Sequence, residues 1–171
     1  DSGALQIVII AADGTFKKGH DLSSDLATAQ EEQDLEKDKA RGLEISGFSV
    51  GPDTRIYLTV PVLFSAFRLN LDESLAVFGP SGSGPGKFGV VSGIVAYDQG
   101  NIYVADRLRS VVMIFDQAFV FQGEFGYRGD RPQDMLVPDD LALDLEKHRV
   151  FVSQAANKGV GVYSVNLVQS R

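Results

Sequence analysis

The sequence predicts an all-β fold, a β-propeller built from four-stranded antiparallel blades. The stretch 82–115 begins with glycines and continues as three apolar runs, of which the first two alternate and hinge at 98–101. This pattern is typical of consecutive antiparallel strands in one repeat unit. Similar units lie about 46 residues upstream and about 47 residues downstream, a spacing in the range of propeller blades.

The N-terminal residues predict the outer part of a blade. Residues 5–10 and 15–18 resemble third and fourth strands, and Asp13-Gly14 suits the turn between them. We therefore expect a partial blade over residues 1–20, whose first two strands are missing.

An acidic insert without a strand pattern follows at 21–43. Thr28-Ala29-Gln30-Glu31 matches a capping box, so we expect one short helix near residues 28–41. Its acidic residues come first and its basic residues last, as the helix dipole favours. Two interpretations remain open: a solvated decoration between blades, or an element that docks a partner.

Three repeat units complete the chain, at 44–79, 80–126 and 127–171. The first closes at Phe78-Gly79 and the second at Phe125-Gly126, which predicts an outer fourth strand in each. The third unit is expected to lack its outer strand. Residues 1–171 are therefore predicted to form a single propeller segment.

The central unit resembles the NHL repeat family of β-propellers. Gly84-Pro85-Gly86-Lys87-Phe88 and the run from Gly93 to Asp106 carry the resemblance, which covers residues 44–165 well and 5–18 weakly. The sequence departs from the family pattern at three positions. These are Val91 in place of proline, Val111 in place of arginine, and Val60 in place of aspartate in the first unit.

The resemblance implies a non-enzymatic scaffold or binding module that presents a loop face to a protein or another ligand. Bacterial members of the family are often exported, and some accompany multihaem cytochromes or surface assemblies. We therefore expect an extracytoplasmic protein, periplasmic or secreted, that takes part in an exported surface or cytochrome-associated assembly.

The blade count predicts an incomplete ring. At about 45 residues a blade, 171 residues supply slightly fewer than four blades, whereas propellers close with about four to eight. Unpaired edge strands expose backbone donors and acceptors and need cover. We expect about half of a six-bladed ring, completed at the blade edges by a protein partner or a second propeller-forming chain. The alternative is a small four-bladed ring, closed by the N-terminal strand beside the C-terminal strands.

The longer loops predict which face binds. Loops from the second to the third strand, and from the fourth strand to the next blade, emerge on one side, and here they are the long ones. Binding residues concentrate on such loops, and arginine and tyrosine are favoured at interfaces. The alternative is ordinary surface charge, offset by Asp106, Asp130 and Asp134. The predicted partner-binding residues of this loop face are Arg107, Arg109, Tyr127, Arg128 and Arg131.

Composition excludes several classes of function. A net charge of −7 argues against nucleic-acid binding, because phosphate contacts need a cationic surface. The absence of cysteine excludes disulfides, thiolate catalysis and cysteine-ligated zinc. The longest apolar run, at 5–12, is far shorter than the roughly 20 residues of a membrane span.

The chain offers few groups for catalysis. His20 and His148 are its only histidines, so a His-rich metal centre cannot be assembled. We predict no catalytic, cofactor-binding or metal-binding residues. The alternative is a calcium-dependent hydrolase or lyase of the lactonase-like propeller type. Asp139, Asp140 and Asp144 would supply carboxylate oxygens for calcium, although adjacent aspartates on a strand point to opposite faces.

Overall fold

The computed structural model describes residues 5–32, 42–97, 100–155 and 159–165. Within these residues, thirteen strands form four antiparallel sheets, accompanied by one α-helix and one short 3-10 helix. The sheets pack side by side as an open, partial propeller. The predicted all-β propeller with four-stranded antiparallel blades is therefore confirmed.

Two elements precede the four-stranded blades. The N-terminal hairpin consists of β1 (Gln6–Ile10) and β2 (Phe16–Asp21), and α1 (Ser23–Glu32) follows it. Sheet I comes next and includes a 3-10 turn after its second strand. It contains β3 (Gly47–Val50), β4 (Ile56–Val60), the turn Pro61–Leu63, β5 (Ser65–Leu69) and β6 (Leu75–Phe78).

Two further sheets repeat this plan, each with its strands in chain order. Sheet II contains β7 (Val91–Ala96), β8 (Ile102–Asp106), β9 (Val111–Phe115) and β10 (Phe121–Phe125). The described strands of sheet III are β11 (Pro138–Asp144), β12 (Arg149–Gln154) and β13 (Gly159–Ser164). The innermost strands are neighbours in turn, with β3 beside β7 and β7 beside β11.

Successive sheets bury their facing residues in two cores, one between sheets I and II and one between sheets II and III. Tyr57 of β4 pairs with Ser49 of β3, and Tyr103 of β8 pairs with Val95 of β7. The two tyrosines therefore hold equivalent positions in their sheets. The next sheet buries both rings. Burial raises the pKa of Tyr57 to about 12 and also raises the pKa of Tyr103. Both phenols are therefore neutral near pH 7.

A phenylalanine cluster fills the outer part of the first core. Phe88, from the loop before β7, is fully buried, and its ring centroid lies 6.4 Å from that of Phe78 and 5.4 Å from that of Phe115. Phe119 stacks on Phe78 at 4.4 Å, and the Arg68 guanidinium lies over the Phe119 ring at 4.3 Å. The cluster joins the outer strands of sheets I and II.

Glycines allow the innermost strands to touch. A Cβ on Gly47 would lie 2.8 Å from Thr59 Oγ1 and 3.1 Å from the Cα of Gly93. A Cβ on Gly93 would lie 2.7 Å from the Cα of Asp140 and 2.8 Å from the Leu141 nitrogen. Because the neighbours of Gly93 are main-chain atoms, a side chain there would push β7 and β11 apart.

The helix begins earlier in the sequence than predicted. It begins at Ser23, not at Thr28, and the Ser23 nitrogen donates a hydrogen bond of 2.9 Å to Asp21 Oδ1. Thr28 lies inside the helix, and its hydroxyl donates to the Ser24 carbonyl oxygen. The capping-box assignment was wrong because Asp21 takes the capping role seven residues earlier. Residues 33–41 of the predicted helix lie outside the described residues.

The described helix packs a narrow apolar face on sheet I, and most of its other side chains are exposed. Leu22, Leu26 and Ala29 are buried together with Ile7 of the hairpin. They cover the face of sheet I that points away from sheet II, and Lys18 of the hairpin pairs with Glu73 of sheet I. In the described part of the chain, no helix has the length and apolarity needed to cross a bilayer.

The small four-bladed ring is not formed in this structure. The hairpin is a sheet of its own, and β13 pairs only with β12 among the described strands. Val8 on the hairpin and Val160 on β13 are both exposed. The two ends of the described array therefore do not meet.

Candidate functional site

A buried carboxylate organises the loop face beside sheet II. Asp106 ends β8 and is fully buried. Its oxygens accept hydrogen bonds from the backbone nitrogens of Gly89 (2.6 Å), Val90 (3.2 Å) and Arg109 (2.9 Å). The loop before β7 and the loop after β8 are therefore held by one side chain.

Sheet III repeats this arrangement with a neutral group, and sheet I does not have it. Gln154 stands at the position of Asp106, and its Oε1 accepts a hydrogen bond of 2.8 Å from the Leu136 nitrogen. Val60 holds the position in sheet I and has no side-chain acceptor. Asp106 therefore accepts three backbone hydrogen bonds from its two loops, whereas Gln154 accepts one from the loop before β11.

We expect Asp106→Ala to lower the free energy of unfolding by about 2 kcal/mol, because it removes charged hydrogen bonds and leaves three partly buried backbone N–H groups without this acceptor. Gln154→Ala is the matched control. It removes one neutral hydrogen bond and should cost about 1 kcal/mol. Urea unfolding followed by tyrosine fluorescence measures both values. Equal losses for the two variants would contradict the organising role of Asp106.

The structure places two predicted binding residues, Arg107 and Arg109, on the loop after β8, where both form ion pairs. The Arg107 guanidinium pairs with Asp139 at the start of β11. Arg109 is only 17% exposed, and both of its hydrogen bonds to the Glu124 carboxylate measure 2.8 Å. It also donates to the Lys87 carbonyl oxygen at 3.2 Å. Arg109 therefore shapes the loop more than it presents a free charge.

The other three predicted residues lie on the loop between β10 and β11. Tyr127 is 73% exposed, and Arg128 and Arg131 are exposed as well. The Arg131 nitrogen donates to Asp134 Oδ2 at 3.1 Å, which fixes the turn of this loop. Tyr127 and Arg128 are thus held outward at the same end of the sheets as Arg107.

Sequence reasoning missed one residue of this face. Leu108 is exposed at the tip of the loop between Arg107 and Arg109. An apolar residue between two arginines in a short loop is the signal that could have identified it. The loop face therefore combines two exposed apolar side chains, Leu108 and Tyr127, with arginines.

A cleft of about 320 Å³ lies on the same side of the sheets. The segment leading into β3 forms one wall, and the loops after β4 and β8 form the other. The face is therefore concave next to Arg107. The lining residues are Gly42, Glu44, Ser46, Pro61, Val62 and Arg107.

The three aspartates considered for calcium do not form one site. Asp139 and Asp144 lie five residues apart along β11, which separates them by about 16 Å. Asp139 pairs with Arg107, and Arg149 donates to Asp144 at 2.7 Å and lowers the pKa of that carboxyl. Asp140 accepts from the Leu141 nitrogen. Among the described residues, no three His, Cys, Asp or Glu side chains are grouped to hold a metal.

The two histidines lie in different parts of the array. His20 of the hairpin is near the Glu73 carboxylate at 3.7 Å, and His148 bonds to the Tyr97 hydroxyl in the turn before β12. The structure does not bring them together.

Comparison with known proteins supports the propeller fold. No family model and no curated protein matches the sequence. A catalytically inactive virginiamycin B lyase from Staphylococcus aureus, bound to quinupristin, matches with a TM-score of 0.57 at 10% identity, over 96% of this chain and 50% of the lyase. The chain thus spans about half the length of that structure.

Two other solved structures with the same fold are named for roles other than that of a lyase. The extracellular domain of a two-component-system protein from B. thetaiotaomicron matches with a TM-score of 0.57 at 15% identity, over 95% of this chain and 20% of that one. A calcium-binding regucalcin from Agrobacterium tumefaciens matches with a TM-score of 0.50 at 17% identity, over 67% and 40%. At these identities the likeness extends to the fold alone.

Proposed function

We propose that this chain is one segment of an NHL-type propeller and acts as a non-enzymatic scaffold or binding module. Its loop face contacts a protein partner, and its exposed blade edges are completed by other propeller sheets. The observation that carries the proposal is the outward presentation of Leu108, on a loop fixed by the buried Asp106, together with Tyr127 and Arg128, on a loop whose turn is fixed by the hydrogen bond from the Arg131 nitrogen to Asp134.

The chemistry of the loop face favours a partner with an acidic, partly apolar surface. Tyrosine and arginine are enriched among residues that dominate binding energy, and arginine forms two-pronged hydrogen bonds with carboxylates. Arg107 and the neighbouring cleft would accept an acidic side chain if the partner displaced Asp139 from its ion pair. Because the chain is acidic overall, this local cluster of arginines is the part of the surface that would attract an acidic partner.

We propose an extracytoplasmic location, in the periplasm or outside the cell. The support is the extracellular domain among the structural neighbours, together with the exported members of the family that the central unit resembles. An exported surface or cytochrome-associated assembly is the kind of complex in which such a module would act.

The alternative function is a calcium-dependent hydrolase or lyase. Its support is that the structural neighbours include a lyase and a calcium-binding protein. Elemental analysis and melting with and without calcium separate the two functions. Bound calcium near the ring axis and a rise in melting temperature would favour the enzyme over the scaffold.

We expect Tyr127→Ala with Arg128→Ala to weaken capture of proteins from an extracytoplasmic extract by at least about tenfold, since such anchors dominate interfaces. The matched control is Leu71→Ala with Val120→Ala, because these exposed side chains lie in turns at the opposite end of the sheets. Quantitative mass spectrometry of captured proteins measures the effect. A partner retained by the loop-face variant but lost by the control would overturn the proposal.

A further inference from the structure

The loop between β10 and β11 presents two opposite charges side by side. Arg128 and Asp130 are exposed, and Gly129 between them is partly covered. Because two residues of chain span at most about 7 Å, both charges can contact the same patch of a partner. The exposed ring of Tyr127 comes directly before them. We call residues 128–130 the charged tip.

The protein does not use either charge of the charged tip internally. Among the described residues, no ion pair and no side-chain hydrogen bond engages Arg128 or Asp130. Other arginines place their guanidinium groups against a carboxylate, a carbonyl oxygen or an aromatic ring. These arginines are Arg55, Arg68, Arg107, Arg109 and Arg149. Both charges of the tip are therefore open to a partner.

The loop holds Gly129 inward and its two neighbours outward. A Cβ on Gly129 would lie 2.7 Å from Asp134 Cγ, and the Gly129 nitrogen donates to the Met135 carbonyl oxygen at 3.4 Å. Asp134 is itself held by the Arg131 nitrogen at 3.1 Å. A side chain at position 129 would push the loop away from this support. Glycine thus fixes the direction in which the charged tip points.

The equivalent loop of the preceding repeat shows that folding does not require these charges. The bridge between Arg128 and Met135 repeats the bridge between Ser81 and Phe88. Ser81 and Ser83 therefore hold the positions of the two charges, and both serines are exposed. A loop with the same bridge forms with neutral side chains, so the charges are available for binding.

The two charges together determine the chemistry of the partner. Arg128 favours carboxylates, but the acidic partner surface proposed above would repel Asp130. A divalent cation held by the partner's carboxylates removes this conflict, because Asp130 supplies one more oxygen ligand to it. The partner must bring the ion, since no metal-holding group of His, Cys, Asp or Glu exists within the described part of this chain.

We propose that the charged tip binds a protein whose surface carries a divalent cation with an open coordination position beside an acidic pocket. The Asp130 carboxylate completes the coordination of the cation, and the Arg128 guanidinium pairs with the pocket. Cell-surface adhesion receptors bind Arg-Gly-Asp sequences by this chemistry, and residues 128–130 have that sequence. The inference rests on the loop-face part of the proposed function and on the proposed extracytoplasmic location.

The experiment uses the ectodomain of an Arg-Gly-Asp-binding integrin as the probe, because its site carries such a cation. Surface plasmon resonance on the immobilised 171-residue chain should show binding in Mg²⁺ that EDTA abolishes. Asp130→Glu keeps the charge but moves the carboxylate by one methylene, and should weaken binding at least tenfold, as expected for loss of a close charge contact. Glu146→Asp is the matched control, since Glu146 is exposed in the turn before β12 at the opposite end of the sheets.

Peptide competition makes the result specific to the charged tip. A soluble Gly-Arg-Gly-Asp-Ser peptide should displace the chain, and Gly-Arg-Gly-Glu-Ser should not. Absence of binding by the wild-type chain, binding that survives EDTA, or equal binding by Asp130→Glu would overturn the proposal. If integrin binding fails while protein capture still depends on Tyr127 and Arg128, the cation contact is excluded and the loop-face proposal stands.

Discussion

Replacing Phe88 by alanine is expected to lower the free energy of unfolding by about 3–5 kcal/mol. The ring is fully buried and contacts Phe78 of sheet I and Phe115 of sheet II. Its removal leaves a cavity at the junction that neither sheet can fill by moving alone. Urea unfolding at equilibrium measures the loss.

Two control variants make the Phe88 result specific. Phe48→Ala removes an equally large ring that is 52% exposed on β3 and should cost less than about 1 kcal/mol. Phe88→Met should cost less than about 1.5 kcal/mol, because volume is nearly kept. Met135 already fills the equivalent position, since the bridges Ser81–Phe88 and Arg128–Met135 repeat in the two loops. A Phe88→Ala loss no larger than that of Phe48→Ala would show that this junction does not depend on the cluster.

The strands could be predicted because their signals are local. Alternation in 93–96 and 102–106, with a glycine-containing turn between them, specifies a hairpin without knowledge of its neighbours. The helix start could not be placed in this way. The capping pattern at Thr28 is also local, but burial of Leu22 and Leu26 against sheet I outweighs it.

The site was predicted less well because it depends on contacts between repeats. Loop lengths identified the loop face and placed Arg107 and Tyr127 at the same end of the sheets. They did not indicate that Arg109 would pair with Glu124, since that contact depends on the register of β9 and β10. The role of Asp106 was likewise hidden, because its partners Gly89 and Val90 lie in the preceding loop.

The innermost strands show how the repeat in the sequence is related to the contact between neighbouring sheets. A glycine recurs at Gly47 and Gly93 because each faces the main chain of the next sheet, and Asp140 holds the equivalent position in β11. The two glycines thus mark the two close contacts between the innermost strands of the described sheets. A single methyl group at either glycine should therefore separate two sheets.

We expect Gly93→Ala to lower the free energy of unfolding by about 3 kcal/mol. The new Cβ would lie 2.7 Å from the Cα of Asp140 and 2.8 Å from the Leu141 nitrogen, so no side chain can rotate away to relieve the overlap. Sheet III must move outward instead. Urea unfolding gives the loss, and faster amide hydrogen exchange in β11 and β12 than in β4 and β5 would locate it.

The matched control for Gly93 is Gly123→Ala in β10, where a Cβ would meet nothing within 4 Å. This variant should change the free energy of unfolding by less than about 1 kcal/mol, and it could increase it by restricting the unfolded chain. If the two alanine variants were equally stable, the inner strands would not be held at the distance that glycine permits.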